Sequence, residues 1–461
     1  MTVTQTVPLV PPLAAPPPLD RRLGLFEFVR LVRDSSIATY PEECYRLDFV
    51  DRSFLWAHAY IVSGPEGVRH VLLDNAANYV KTRIARRLLE PGLGQGLLTS
   101  EGEMWRRHRR IMAPAFDPRS VASYVPLMTG ASEALLDEWD ALPDGAEIAA
   151  DAAMMRSTLD IIAKAMFSSD SADVADLVAT GADRYQREVR PTLFDLLPLP
   201  RWLSWVSTHD GAQRIFGEFD AKIDRMIASR RATGAGERRD LLARLLAAQD
   251  EETGQALTAH EVRDEIITIF MAGHETTSLA LTWTWYLMSQ HPREEAKLHA
   301  EIDTVLQGRV PRAEDVPRLT YARMVIDEAL RLYPPAHTLS REAIASDEIL
   351  GHRIPAGASV YIVPWLIHRN KNLWNNPEQF DPERFSIENT AARPRYAYLP
   401  FGAGPRICIG AAFATTEAVL ILATLAQRYR LRLKPGHAVE PQGLITLRPR
   451  HGMAMILERR G

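Results

Sequence analysis

The sequence predicts a mainly α-helical protein with a minor β part, and three observations lead to this prediction. Helical periodicity of apolar residues dominates from Glu101 to about Asp250, with breaks at prolines. A further helical pattern runs without proline for about 32 residues from Thr258 to the His291-Pro292 pair, which corresponds to roughly 48 Å at 1.5 Å per residue. Short alternating segments bounded by turn residues precede and follow these helices, which is typical of small sheets.

Composition and charge narrow the class of protein. The chain has 461 residues, of which 46% are hydrophobic and 24% are charged, as in folded globular proteins. The formal net charge is −4, so no overall basic field attracts nucleic acid, and none is expected as a partner. No apolar run approaches the roughly 20 residues that cross a bilayer, so we expect no transmembrane anchor. The chain has only two cysteines, which indicates a reduced compartment, and we expect a cytoplasmic protein. We also expect the protein to be a monomer.

The N-terminal part of the chain divides into a tail and the start of one domain. Residues 1–20 are rich in proline and are predicted to be flexible, and residues 21–461 are predicted to form a single domain. The alternation from Cys44 to Val62 predicts a β-hairpin with Cys44 buried on a β-like stretch. A helix is predicted from Pro65 to Leu73, and a loop from Arg83 to Thr99, where glycines and a proline cluster.

The C-terminal part begins with the long helix. Thr258 and Glu261 have the spacing of a capping box at its start. Another helix is predicted from Tyr321 to about Leu332. A segment of low periodicity follows at 368–407, then a final long helix just after Cys408 and a β-like tail. Three short strands are predicted between the second helix and the low-periodicity segment: Thr338–Ala343, Ile349–Ile354 and Ser359–Val363.

The segment FGAGPRICIG, from Phe401 to Gly410, carries the strongest chemical signal. Cys408 lies between a glycine-rich loop and the start of a helix. Glycines allow the backbone to approach a flat group closely, and the N-terminus of a helix favours thiolate over thiol. A thiolate that binds haem iron increases the electron density on the metal and favours O–O cleavage.

This segment resembles the cysteine-loop signature of the cytochrome P450 family, F-x-x-G-x-R-x-C-x-G, at all five fixed positions. The resemblance implies the family's mainly helical fold, with haem b held between the long central helix and the helix that follows the cysteine loop. It implies that Cys408 is the iron ligand and that Phe401, Gly402 and Arg406 belong to the cofactor site.

A second match supports the first. Glu328 and Arg331 form an E-x-x-R pair on one helix face about 80 residues before the cysteine. Arg384 lies in a Pro-Glu-Arg-Phe segment that resembles the family's PERF element. The resemblance implies a buried network of these three side chains that supports the cysteine loop.

The middle of the long helix reads Ala272-Gly273-His274-Glu275-Thr276-Thr277. These residues are poor helix formers, or costly in an apolar interior, although a buried helix with a polar kink remains an alternative. The resemblance is to the family's oxygen-binding groove. It implies that Ala272 and Gly273 lie against the cofactor, that Thr276 hydrogen-bonds dioxygen, and that Glu275 relays protons. An acid beside a hydroxyl suits the delivery of two protons.

Trp105 and Arg109 have i,i+4 spacing in the basic segment WRRHRR. The resemblance implies that both contact haem propionates, together with Arg406 and Arg341. For Arg341 a surface ion pair is the alternative. The neighbouring cations Arg106, Arg107 and Arg110 form either a solvated face or a docking site for an acidic electron carrier.

In the expected lack of a membrane anchor the resemblance is to soluble bacterial members, whereas the segment WRRHRRIMAPAF resembles the fatty-acid-oxidising and microsomal branches. The resemblance implies a monooxygenase that inserts one oxygen atom from O₂ into an apolar substrate such as a fatty acid, terpenoid, steroid or aromatic compound. Electrons would come from a separate ferredoxin and ferredoxin reductase. A haem-thiolate isomerase, dehydratase or peroxygenase and a non-enzymatic haem sensor are the alternatives. The predicted walls of the substrate pocket are Arg83–Leu98, Tyr185–Leu197, Ala272, Pro335–Leu339 and Leu444–Thr446.

Overall fold

The computed structural model describes residues 13–54, 57–168, 181, 210–233 and 240–460. Helices dominate these ranges, as predicted. The α-helices are α1 (Leu25–Asp34), α2 (Pro65–Arg69), α3 (Arg83–Leu93), α4 (Gly102–Met112), α5 (Pro118–Asp140), α6 (Ala150–Phe167), α7 (Asp210–Thr233), α8 (Leu241–Ala247), α9 (Ala259–Gln290), α10 (Pro292–Leu306), α11 (Thr320–Leu332), α12 (Pro364–Ile367), α13 (Ile387–Ala392) and α14 (Ala411–Ala426).

The strands form small sheets, and the largest of them contributes to a second cluster of buried apolar side chains. The strands are β1 (Phe49–Asp51), β2 (Ala59–Val62), β3 (Tyr79–Val80), β4 (Glu147–Ala149), β5 (Leu339–Ala343), β6 (Asp347–Ile349), β7 (His352–Ile354), β8 (Ser359–Ile362), β9 (Tyr429–Leu433), β10 (Pro441–Gly443), β11 (Leu447–Pro449) and β12 (Ala454–Arg459). The largest sheet has the order β1-β2-β8-β5-β3, and a second has the order β4-β12-β9. Strands β2 and β8 pair in parallel, and the other pairs are antiparallel. Hairpins β6-β7 and β10-β11 are separate.

Helix α9 is the 32-residue central helix that the sequence predicted. The capping box is confirmed: Glu261 N–H donates to the Thr258 hydroxyl at 3.2 Å, and Thr258 N–H donates to the Glu261 carboxylate at 2.8 Å. The helix packs along α6 and also contacts α11 and α14. Most of its side chains from Val262 to Met288 are buried. The helix therefore runs through the core and does not lie on the surface.

The predicted Glu-Arg-Arg network is confirmed next to α9. Arg331 donates from Nε and Nη2 to the two carboxylate oxygens of Glu328, at 2.6 and 2.8 Å. Arg384 Nε forms an ion pair with Glu328 Oε1 at 3.4 Å. Arg331 also donates to the backbone carbonyls of His368 and Pro377, at 2.8 and 2.7 Å. This network ties α11 to the irregular segment that leads to the cysteine.

Three predicted elements differ from the structure. The predicted loop at Arg83–Thr99 is helical from Arg83 to Leu93, because Thr82 caps the helix through Ala85 N–H and Pro91, near the end, removes only one helical hydrogen bond. Cys44 is buried as expected, but it lies in a 3₁₀ turn that follows Pro41, before the strands begin. The predicted strand Ile349–Ile354 is a hairpin, because Leu350 and Gly351 adopt φ values of 51° and 79°.

Part of the predicted flexible tail contacts the core. Residues 1–12 lie outside the described residues. Ala14 N–H donates to the Tyr286 hydroxyl at 3.3 Å, and the Tyr333 hydroxyl donates to the Ala14 carbonyl at 2.9 Å. Leu13 also packs against the core. The tail is therefore fixed from about residue 13, while the division into a tail and one domain stays a prediction.

Candidate active site

A cavity of about 430 Å³ lies between α9 and the loop that contains Cys408. Its lining includes the first turns of α14, strand β5 and the segment between α3 and α4. All nine residues predicted to bind the cofactor border it: Trp105, Arg109, Ala272, Gly273, Arg341, Phe401, Gly402, Arg406 and Cys408. The structure thus brings together side chains that are up to about 300 residues apart in sequence.

The loop around Cys408 is fixed by its backbone. Cys408 N–H donates to the Phe401 carbonyl at 2.9 Å. Gly404 has φ of 69°, and a Cβ there would lie 1.8 Å from the Leu72 carbonyl oxygen, so no other residue fits without displacing the chain. The Cys408 thiol is accessible because it borders the cavity, yet protein surrounds it. Burial raises the pKa of this thiol, while Gly410 N–H and the charge of Arg109 act in the opposite direction.

A cluster of cations forms one rim of the cavity. The Arg406 guanidinium carbon lies 4.1 Å from the centre of the Trp105 ring, and Arg406 forms an ion pair with Glu101. Lys81, which the sequence analysis did not single out, also borders the cavity. Burial and the nearby charge of Arg406 lower the pKa of Lys81 to about 7. Burial also lowers the pKa of Arg341, opposed by the charge of Glu101.

These residues fit haem b. Arg406 pairs with Glu101, and the charge of this one carboxylate also acts on Lys81 and Arg341, so the basic side chains of the rim outnumber its acids in a partly dry environment. Two propionates would balance it, and charge-assisted hydrogen bonds to carboxylates are among the stronger ones. The remaining walls are largely apolar, which suits a macrocycle, and Cys408 supplies a sulfur ligand.

The α9 groove opens onto the same cavity. Thr276 borders it, and its hydroxyl donates to the Ala272 carbonyl at 2.8 Å. A Cβ at Gly273 would lie 3.3 Å from the Ile162 side chain, a tight but not impossible contact. The helix remains continuous through these residues, and neither a break nor a kink is needed to place Thr276 beside the cavity.

Glu275 does not border the cavity. Its carboxylate Oε1 accepts a hydrogen bond from the Thr446 hydroxyl at 2.7 Å and pairs with Arg448 Nη2 at 2.7 Å. The side chain is buried. Glu275 and Thr276 are thus adjacent in sequence but face different neighbours. No signal in the sequence pointed to Thr446 and Arg448 as the partners of Glu275.

A second buried acid lies on α14. Glu417 is fully enclosed near Thr277, and within the described part of the chain its Oε2 has no hydrogen-bond partner. Burial raises the pKa of Glu417 to about 8, and a hydrogen bond from Thr277 opposes the shift. Glu417 was not predicted as a site residue, although it is the single acid in the mostly apolar sequence of α14.

The predicted substrate walls are present in part. Ala272 borders the cavity, as do Ala85, Leu89, Leu97 and Leu98 from the first predicted range and Pro335, Ala336, Thr338 and Leu339 from another. The range 444–446 is absent from the lining that the structure describes, and the range 185–197 lies outside the described residues.

The basic residues beside the site are paired. Arg106 and Arg107 form ion pairs with Glu103 and Glu261, and Arg110 pairs with Asp250 at 2.7 Å. Arg109 Nη1 donates to the Ile407 carbonyl at 2.6 Å, which links α4 to the cysteine loop. Among the described residues, no helix combines the length and apolar character that crossing a membrane requires.

Comparison with known proteins agrees with this geometry. The sequence model of the family Cytochrome P450 matches residues 37–452. Cyclooctatin synthase of Streptomyces melanosporofaciens is 39% identical over 401 residues, which are 84% of each chain. Cyclooctat-9-en-7-ol 5-monooxygenase of the same organism is 36% identical over 394 residues, 82% of each chain. The solved haem domain of cytochrome P450DA superimposes with a TM-score of 0.82 at 26% identity, covering 97% of this chain and 99% of that one.

A haem-thiolate enzyme is the class that this fold and site define. The chain belongs to the cytochrome P450 family. It is a monooxygenase that uses haem b, acts on apolar substrates and depends on a redox partner. These findings favour the monooxygenase over the isomerase, dehydratase, peroxygenase and sensor alternatives.

Proposed function

We propose that this cytochrome P450 oxidises a terpenoid. The observation that carries the proposal is the distribution of charge in the cavity. Within the described lining, charged side chains are confined to the rim that fits the propionates: Lys81, Arg109, Arg341 and Arg406. The opposite wall is formed mainly by aliphatic side chains. A fatty acid requires a cation for its carboxylate, whereas a terpenoid hydrocarbon skeleton requires only apolar surface.

The first arginines of α3 do not supply such a cation. Arg83 forms an ion pair with Glu342 at 3.3 Å, and neither Arg86 nor Arg87 is part of the described lining. The name of the Streptomyces relative cyclooctat-9-en-7-ol 5-monooxygenase describes a monooxygenase whose substrate is an unsaturated alcohol with a cyclic skeleton. A similar skeleton is the substrate class that we propose here.

Haem, when bound, supplies the reductive activation of dioxygen, and the residues of this chain hold and shield it. We assign the iron ligand to the Cys408 sulfur and the propionates to Lys81, Trp105, Arg109, Arg341 and Arg406. Phe401, Gly402, Ala272 and Gly273 would lie against the macrocycle. The aliphatic wall excludes water and orients the substrate by shape, because it offers few polar groups.

Proton delivery is assigned to Thr276 and Glu275. The Thr276 hydroxyl borders the cavity and now donates to the Ala272 carbonyl, a contact that it would give up to donate into the cavity. Glu275 would relay protons to the groove after its side chain leaves Thr446 and Arg448. A Thr276→Ala variant is therefore expected to retain substrate binding but to form about tenfold less product per NADPH consumed. Thr282→Ala, a buried site on the same helix whose hydroxyl donates to Ser278 at 2.8 Å, is the control.

The proposed electron donors are a ferredoxin and its reductase, in the cytoplasm, with the enzyme as a monomer. Arg109 connects the basic helix α4 to the carbonyl that precedes Cys408, and the Arg106 side chain is 54% exposed despite its ion pair. An acidic carrier that docks on α4 would thus approach the sulfur through a few residues. Electrostatic attraction of this kind weakens as salt concentration rises.

The experiment is reconstitution with ferredoxin, ferredoxin reductase, NADPH and ¹⁸O₂. A panel of terpenoid hydrocarbons and terpenoid alcohols is compared with fatty acids of matched carbon number. We expect ¹⁸O-labelled products from terpenoids only, and none when the ferredoxin is omitted or when Cys408→Ser replaces the parent. Oxidation of fatty acids without oxidation of terpenoids would contradict the substrate class. Turnover that needs peroxide and no ferredoxin would contradict the donor.

A further inference from the structure

The segment between α3 and α4 forms part of the aliphatic wall through Leu97 and Leu98. Two adjacent acids of α9 hold its backbone. Gln95 N–H donates to Asp264 Oδ2 at 2.7 Å, and Leu97 N–H donates to Glu265 Oε2 at 3.0 Å. Both acids are buried. A carboxylate that accepts from a backbone amide away from water forms a strong, directional contact.

His108 of α4 holds the second oxygen of Glu265. The distance between His108 Nδ1 and Glu265 Oε1 is 2.6 Å, and both side chains are fully buried. His108 Nε2 lies 3.3 Å from Glu261 Oε1, and Glu261 also pairs with Arg107. Glu265 therefore bridges α4 and the segment, whereas Glu261 contacts α4 and, among the described residues, forms no hydrogen bond with the segment.

The segment also lies flush against α9. A Cβ at Gly94 would fall 2.3 Å from the Asp264 carboxylate, and a Cβ at Gly96 would fall 2.2 Å from Thr268 Oγ1 and 2.7 Å from the Asp264 carbonyl. The Thr99 hydroxyl donates to the Gly94 carbonyl at 2.7 Å and closes the turn. Position 96 accepts no side chain unless the segment moves away from α9.

We propose that Asp264, Glu265 and His108 are positioning residues that fix the wall formed by Leu97 and Leu98 and thereby limit the size of ligand that the cavity admits. This inference rests on the proposed function only in that the cavity holds haem and substrate. A bulky ligand displaces the wall and must break at least one amide-carboxylate contact. A small ligand leaves the wall in place.

The test uses the holoprotein and two azoles that coordinate haem iron, imidazole and the bulky clotrimazole, with Kd measured from the Soret shift. Glu265→Ala removes the contact with Leu97, and Gly96→Ala pushes the segment outward without altering the acids. In both variants we expect the ratio of the clotrimazole Kd to the imidazole Kd to fall about tenfold, the equivalent of one buried hydrogen bond. Glu265→Gln retains an acceptor for Leu97 and should restore most of the parent ratio.

Glu261→Gln is the matched control, because this acid lies one turn earlier on α9 and contacts His108. The ratio of the two Kd values should equal that of the parent within about twofold, which is ordinary variation for a substitution that leaves the hydrogen bond between Leu97 and Glu265 in place. Hydrogen exchange of the peptide that contains residues 94–98 should increase in Glu265→Ala and not in Glu261→Gln. A ratio that is unchanged or higher in both Glu265→Ala and Gly96→Ala would overturn the inference. Failure of imidazole to shift the Soret band in the parent would instead contradict the haem site itself.

Discussion

The carboxylate of Glu275 pairs with the guanidinium of Arg448 at 2.7 Å, on the side of α9 that does not face the cavity. The exposed fractions of the two side chains are 5% and 22%. Thr446 donates to the same carboxylate oxygen. The hairpin β10-β11 and its flanking residues thus hold the acid that is expected to relay protons. In the proposed relay the carboxylate has to leave both partners before it can turn towards Thr276.

Replacement of Arg448 by leucine is expected to leave the Glu275 charge poorly compensated. We expect the free energy of unfolding to fall by roughly 2 kcal/mol, less than for a wholly buried pair because Arg448 is partly exposed. Urea unfolding followed by circular dichroism measures it. Arg450→Leu is the control, since Arg450 pairs with the half-exposed Asp34 and Glu440. An equal loss of unfolding free energy in both variants would mean that the buried contact with Glu275 stabilises the protein no more than an exposed ion pair does.

Replacement of Cys408 by serine is expected to abolish thiolate ligation. The carbon-monoxide difference spectrum of the dithionite-reduced parent should show a strongly red-shifted Soret band, because the thiolate donates electron density to iron. The serine variant should lose this band. Cys44→Ala should keep it, because Cys44 is buried away from the cavity lining. A red-shifted band that survives in Cys408→Ser would exclude this sulfur as the ligand.

Replacement of Lys81 by methionine is expected to weaken the retention of haem. The amine gains a proton and a charge-assisted partner when a propionate approaches, and such a bond contributes about 2 kcal/mol. We expect transfer of haem to apomyoglobin to accelerate by on the order of 30-fold, the factor to which about 2 kcal/mol corresponds. Lys164→Met is the control, because Lys164 forms a solvent-exposed pair with Asp160. Similar transfer rates for Lys81→Met and the parent would remove Lys81 from the propionate site.

Replacement of Glu417 by glutamine is expected to alter how stability depends on pH. Burial raises the pKa of Glu417 to about 8 in the folded protein, so the folded state binds this proton more tightly than the unfolded chain does. The parent should therefore lose stability relative to the variant as pH rises from about 4.5 to 8, by at most about 1.4 kcal/mol per pH unit, with no further change above that window.

Urea unfolding across this pH range measures the difference between the two proteins. Glu388→Gln, at an exposed position on α13, should show no such trend. If the curves of Glu417→Gln and the parent stay parallel, the carboxyl is ionised in the folded state and some cation reaches it.

Local signals in the sequence predicted much of this structure. The Thr258-Glu261 capping box gives the start of α9, and the segment 401–410 identifies the loop that meets it across the cavity. The nine predicted cofactor residues converge because each belongs to a motif with its own helix face or loop.

Contacts between distant residues were not predictable in this way. Glu275 and Arg448 are separated by 173 positions, and His108 and Glu265 by 157, with no periodicity that relates one partner to the other. For Glu275, helix geometry alone indicated that its side chain would not share the face of Thr276. At about 100° per residue, Thr276 lies between Ala272 and Gly273 on the helix wheel, while Glu275 lies about 100° away from Thr276. The acid is therefore turned away from the helix face that Thr276 presents to the cavity.

The two cysteines differ in how accessible their thiols are, and this difference can be used to measure haem occupancy. Cys44 is fully buried, and burial raises the pKa of its thiol to about 11, so it should resist alkylation in the folded state. The Cys408 sulfur borders a cavity that haem would fill. A maleimide dye should accordingly label one thiol per chain in apoprotein and none in haem-loaded protein, so that the dye-to-protein ratio measures the fraction of molecules that lack cofactor.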